Sequence, residues 1–189
     1  MKRIIFTVIL AMFVSFGANA QFKLGVKGSY GFANFDISSS LATQLTKENS
    51  TSWDLGIVAQ MPLGGNFYLQ PEVLYSSQTI ENLPTELSPV EGTSKMSYFQ
   101  VPVNLLCKFN FVVLKIFASG GAYFGYMIDE NDISSLKKTN WGVSVGAGAE
   151  LWKFQVNARY NWALQNISDV HNITLKNNKF NVSVAIFIL

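Results

Sequence analysis

Cysteine and histidine are almost absent from this 189-residue chain, which has only Cys107 and His171. A lone cysteine excludes a disulfide scaffold, and one histidine beside it provides no ligand set for a structural metal. Charge is also scarce, at 14% of residues, against roughly 25% in an average soluble domain. A formal net charge of +2 lacks the basic footprint of a nucleic-acid binder. Low charge with 49% hydrophobic residues is the opposite of a disordered composition. Long apolar runs are missing beyond residue 20, so no later segment approaches the ~18 apolar residues of a transmembrane helix. Glycine (14) and phenylalanine (15) are plentiful instead, and the length suits one domain.

The first twenty residues read as a secretory signal peptide. Lys2 and Arg3 precede the apolar stretch Ile4–Phe16, and Gly17-Ala18-Asn19-Ala20 ends it with small residues before Gln21. That is the n-region, h-region and Ala-x-Ala-like order of an export signal, with cleavage expected after Ala20. The stretch is too short for the ~20 residues of a spanning anchor, and Gln21 stands where a lipoprotein needs cysteine. Residues 21–189 are then the mature domain. They carry 12 basic and 12 acidic side chains, because Lys2 and Arg3 leave with the signal. In an exported chain Cys107 has no partner and reads as a small hydrophobe.

The mature chain alternates with period two in eight runs, the mark of strands with one apolar face. They begin with Phe22, Leu24, Val26, Gly28, Tyr30 and Phe32, and end with Phe180, Val182, Val184, Ile186 and Ile188. The other six lie between Trp53–Met61, Phe67–Tyr75, Phe99–Phe109, Leu114–Tyr126, Trp141–Leu151 and Phe154–Leu164. Every charge inside or bordering these runs has the opposite parity: Lys23, Lys27, Asp54, Glu72, Lys108, Lys115, Glu150, Lys153, Arg159 and Lys179. The rest of that second face is Gly, Ser, Asn and Gln. A soluble sandwich would carry many more charges there, so this face predicts a lumen lined by small and polar groups.

Tight connections (Leu63–Asn66, Asn110–Val113, Trp152–Lys153) alternate with long polar ones at about 34–51, 79–95, 129–138 and 165–178. This alternation, with an even strand count, predicts an all-β, eight-stranded antiparallel up-and-down transmembrane β-barrel of the bacterial outer membrane. Aromatic residues cluster near both ends of the runs, as they do at membrane interfaces. In lipid every backbone polar group must be paired, so the sheet must close. Eight strands leave an interior that side chains fill, so a plugged barrel is expected.

Several strands also resemble a known family. Leu69-Gln70-Pro71-Glu72-Val73-Leu74-Tyr75-Ser76 resembles a "LQPELLYS" strand of the PorT-like outer-membrane β-barrel (porin-like) family, typical of Bacteroidota. Tyr98–Leu106, Trp141–Leu151 and Ala158–Ile167 resemble further strands of that family, in the same order. The resemblance implies an outer-membrane barrel of mostly undefined role. The family's founding member is linked to protein secretion and attachment to the cell surface, a role that fold alone does not carry over. One departure stands out. Outer-membrane strands usually end in an aromatic residue, whereas this chain ends Phe187-Ile188-Leu189, with Phe187 on the lumen face. Either the last strand shifts register or the terminal signal tolerates leucine.

No enzymatic constellation emerges. His171 sits in Ser168-Asp169-Val170-His171, and a relay needs groups converging from separate elements. The carboxylates Asp129, Glu130 and Asp132 lack the glycine and terminal glutamate of a calcium loop. Gly146-Ala147-Gly148 has no helix after it, so it reads as room inside the barrel rather than a nucleotide site. No catalytic residue, metal site or cofactor is expected. The strongest polar constellation is a candidate interior network of Asp54, Glu72, Glu150, Arg159, Lys23 and Lys27, because buried charges must pair. The functional expectation is a plugged structural or interaction barrel working through its external loops, in envelope, surface or secretion roles. The alternative is a narrow channel or small-solute-binding barrel. Expected partners are outer-membrane lipids, the assembly machinery and an envelope or surface protein, with no nucleic acid.

Overall fold

A computed structural model describes residues 22–39, 47–80, 94–129, 139–164 and 173–189. The proposed signal peptide and His171 lie outside these. Eight strands follow one another: β1 (Lys23–Ser39), β2 (Lys47–Gly64), β3 (Phe67–Ile80), β4 (Ser94–Asn110), β5 (Leu114–Asp129), β6 (Thr139–Leu151), β7 (Phe154–Ala163) and β8 (Ile173–Phe187). Each pairs antiparallel with its sequence neighbours, and β8 returns to β1, so the sheet is a closed barrel. No backbone edge is left to meet lipid, which is the condition for crossing a membrane in strands.

Alternation does its work on both surfaces. Leu55, Ile57, Val101, Val103, Val143, Val145, Val182 and Val184 are all exposed on the outside. Tyr30, Phe32, Trp53, Phe99, Tyr126, Trp141 and Trp162 stand exposed toward the long-loop end, and Phe67, Phe109 and Phe154 toward the turn end. Cys107 lies half-buried among the outward residues and is free. In water such a surface would aggregate, whereas in a bilayer it is the solvent-facing side.

At the turn end, Gly64 (φ 125°) and Gly65 (φ 56°) take the left-handed conformations that a two-residue reversal demands. Trp152 reaches φ 54° in the β6–β7 turn without glycine's freedom. In the β4–β5 turn, Phe111 N–H donates to the Leu114 carbonyl at 2.9 Å.

The structure corrects the sequence reading at three points and decides a fourth that it left open. The strands run farther into the long connections than the apolar pattern showed. β1 reaches Ser39, where it faces Ile173 of β8, and Asp36 pairs with both Lys47 and Lys176 in register. Backbone pairing needs no apolar face, so it continues where the alternation stops. Lys153 is no lumen residue: it lies exposed in the β6–β7 turn. The lumen is not lined by small and polar groups alone, since Leu74, Leu106, Tyr98, Phe117 and Tyr123 are buried inside it. A packed interior needs bulk opposite its glycines. Finally, the last strand keeps its register. Phe187 faces Gly25 of β1 and is 2% exposed, closing the turn end of the lumen with Val58 and Ala185.

Candidate functional site in the barrel interior

Strand parity turns inward the one set of side chains that a lipid-facing wall cannot carry, and the barrel's diameter brings them within bonding reach. They form three levels. The middle level centres on Glu72 of β3. Lys27 Nζ of β1 donates to both of its oxygens at 2.9 Å. Arg159 of β7 reaches it from the opposite wall, with Nη2 to Oε1 at 2.8 Å and Nη1 to Oε2 at 3.2 Å. Gln70 Nε2 adds a bond at 2.9 Å and Asn104 Nδ2 another at 3.4 Å. All three charges are buried. A carboxylate out of water is tolerated only with such a full shell of donors, and the bidentate guanidinium fork is the strongest of them.

Toward the turns lies the second level. Glu150 of β6 accepts from Lys23 of β1 and from Lys108 of β4. Lys108 also donates to Gln60 at 2.6 Å, and Gln60 donates to Gln70 at 3.0 Å, joining this level to the first. The Lys108 ammonium lies 4.4 Å from the centre of the Tyr68 ring, an added cation–π contact.

Toward the long loops lies the third level, around Asp54 of β2. It accepts from Lys179 of β8, from Ser29, from Ser76 at 2.6 Å and from Asn181 at 3.3 Å. The structure therefore places all six candidates on the inner wall: Lys27, Glu72 and Arg159 in one cluster, Lys23 with Glu150 in another, and Asp54 in a third. Lys108 and Lys179, absent from the candidate set, complete two of the three clusters. Their inward parity was readable, whereas their height along the axis was not. Among the described residues, five cations answer three carboxylates.

The β6 wall offers little side-chain bulk over most of its length. A Cβ added at Gly142 would fall 2.7 Å from the Tyr123 hydroxyl, and one at Gly148 would fall 2.5 Å from the Phe117 ring. The two β5 rings thus lie across the β6 glycines, and the Gly146-Ala147-Gly148 stretch provides room for side chains. No group of His, Cys, Asp and Glu able to hold a metal occurs among the described residues.

Above the Glu72 cluster, toward the long loops, the filling is incomplete. A gap of about 20 Å³, room for a water or two, is lined by Asp54, Lys179, Arg159, Asn140 and Asn181, with Leu74 and Tyr123 as apolar sides. Arg159 Nε, Asn140 Oδ1 and Asn181 Oδ1 are buried there without a hydrogen-bond partner.

A closed antiparallel barrel with an apolar exterior and a charge-paired interior is a membrane-spanning barrel of the outer-membrane class. The chain belongs to the outer membrane protein beta-barrel domain family, which matches residues 15–169, and this places it in the bacterial outer membrane. No curated protein matches it. Among solved structures it is similar to Neisserial surface protein A, at 14% identity over 86% of this chain and 96% of that one, with a TM-score of 0.50. It is also similar to the outer membrane enzyme PagL, at 10% identity over 84% of this chain and 97% of that one, with a TM-score of 0.51. A third is OprG from Pseudomonas aeruginosa, at 13% identity over 88% of this chain and 92% of that one, with a TM-score of 0.50. At such identities the likeness is one of fold alone. PagL being an enzyme on the same fold, the fold by itself does not decide against catalysis.

Proposed function

We propose that this protein is a plugged, non-enzymatic outer-membrane barrel of the PorT-like kind. It is exported by a signal cleaved after Ala20 and acts through its long loops on an envelope or surface partner. The observation that carries the reading is the Lys27–Glu72–Arg159 cluster, which ties β1, β3 and β7 together across the lumen at mid-height. Ions would have to break a buried, doubly paired carboxylate to pass. The purified barrel is expected to show no conductance steps in planar bilayers. The triple variant Lys27→Ala, Glu72→Ala, Arg159→Ala opens the middle level and strands no charge, but the Glu150 and Asp54 levels and Phe187 still fill the lumen, so it too is expected to show no porin-size steps. Steps of porin size from the unaltered protein sink the plug. The partner is to be sought by photo-crosslinking from loop residues such as Glu86 and His171 in intact cells.

The second reading, a narrow channel or small-solute-binding barrel, rests on the gap above the cluster, which has room for a water or two.

A further inference from the structure

At its turn end the barrel has a surface that neither the plug nor the long loops use. We propose that the β4–β5 and β6–β7 turns together form a lipid-embedded anchor for anionic phospholipid of the leaflet on that side. The apolar tips enter the acyl region, and two lysines take the phosphates.

Short turns of outer-membrane barrels face the periplasm, and a turn in water is built from small and polar residues. The β2–β3 turn obeys this, with Gly64-Gly65-Asn66 at its tip. The β4–β5 tip is the reverse. Phe111-Val112-Val113 offers no polar side chain, and Val112 is fully exposed. Leu114 pairs with Leu151 in register, so the β6–β7 turn stands directly beside this tip. There Trp152 is 76% exposed, against 48% for Trp141 and 40% for Trp162 on the lipid-facing wall. On the outward face Phe109, Leu114, Leu151 and Phe154 are all exposed and join both tips to the apolar band. A contiguous apolar patch needs cover. Its continuity with the wall that lipid already covers names the occupant.

Charge agrees. Among the described residues the turn end holds Lys23, Lys108, Lys115 and Lys153 against one carboxylate side chain, Glu150, which Lys23 and Lys108 already hold. The surplus at this end is positive. Lys115 follows the first tip, half-buried at the mouth, and Lys153 follows Trp152 and is exposed. The Lys153 ammonium lies 5.8 Å from the centre of the Trp152 ring and donates to the Ile188 carbonyl at 3.5 Å, which leaves it protons for a phosphate. An indole at the acyl boundary with an ammonium reaching the headgroups is how these side chains sit at a bilayer surface.

The test uses the mature barrel in phospholipid nanodiscs, one barrel per disc so that no second copy can cover the tips, and reads relaxation of its amide NMR signals. A soluble gadolinium chelate is expected to relax Val112 and Val113 at least about threefold less than Gly64 and Gly65, as for an apolar face about 5–10 Å below the headgroups. A nitroxide high on the acyl chain is expected to show the opposite order. Carried on phosphatidylglycerol, that nitroxide is expected to broaden Val112 more than when carried on phosphatidylcholine at equal mole fraction, an enrichment of about fivefold for one lysine at the surface. Lys115→Gln with Lys153→Gln is expected to abolish this preference and to leave the protection from the chelate. If that variant does not run as a folded barrel on unheated gels, the ratio of the two lipids on the unaltered protein decides. Equal relaxation of Val112 and Gly65 by the chelate puts the tip in water, open to a protein partner, and overturns the anchor. Equal broadening by the two lipids overturns the phosphate contact. Bilayer conductance and loop crosslinking test the proposed function separately, so either idea can fail without the other.

Discussion

Glu72 is the residue on which the interior turns. Its carboxylate balances two buried cations from separate strands, so neutralising it leaves both uncompensated. Breaking a buried pair by removing one partner costs about 3–5 kcal/mol. Glu72→Gln is expected to lower the unfolding free energy of the barrel, measured by denaturant titration in lipid vesicles, by that amount. Glu150→Gln is expected to cost less, because its partner Lys23 keeps a quarter of its side chain exposed and recovers water. A Glu150→Gln loss equal to that of Glu72→Gln would refute this ordering. At this scale the sequence was partly legible. Parity showed which charges turn inward, since a two-residue period leaves only two faces. It could not show that Lys108 meets Glu150, or that Arg159 meets Glu72 across 87 positions. Such pairings depend on the stagger of strands around the barrel, which no local pattern records.

Among the elements, β6 shows most plainly how local sequence serves the interior. Its inward positions are Asn140, Gly142, Ser144, Gly146, Gly148 and Glu150, so most of the strand offers little bulk. β5 compensates with Phe117 and Tyr123, whose rings take the space that side chains on Gly148 and Gly142 would occupy. Gly142→Val drives a branched side chain into the Trp162 carbonyl and Tyr123, and overpacking of this kind costs about 1–3 kcal/mol. Chemical denaturation should register that loss. Gly142→Val with Tyr123→Ala should recover only part of the loss, because the added Cβ still falls 2.0 Å from the Trp162 carbonyl oxygen; full recovery would show that the ring alone closes the space. The glycines were visible beforehand as room, but not what fills it. The prolines are a related case. Pro71 and Pro102 lie within β3 and β4, and the ladder between these strands steps from Pro71↔Val103 to Leu74↔Gln100 without pairing Glu72 or Val73. Proline withholds the donor that such pairing requires, so the sheet is interrupted beside the residue that holds the interior together.

For the whole molecule, closure was the most legible property, because eight alternating runs joined by alternately short and long connections admit few other arrangements. The strand ends beyond the lipid band were not legible, as at Ser39 and Lys47, where pairing continues through polar residues. Closure also sets how the barrel comes apart. The Asp54–Lys179 pair spans β2 and β8, and Lys27 and Lys23 of β1 reach β3 and β6. Because these ties link strands that are not neighbours, losing any strand breaks more than its two ladders. Tryptophan fluorescence and far-UV circular dichroism are therefore expected to follow one coincident urea transition. Two separated transitions would show that part of the wall opens alone.

The same long-range ties give biogenesis a built-in inspection step. While β8 has yet to meet β1, Lys179 of β8 lacks Asp54, and Lys27 of β1 and Arg159 of β7 are not yet brought together around Glu72. A chain closed one residue out of register would turn its charges toward lipid and its valines toward the lumen. Only the correctly joined seam neutralises them at once, so an incomplete barrel carries its own electrostatic mark of being unfinished.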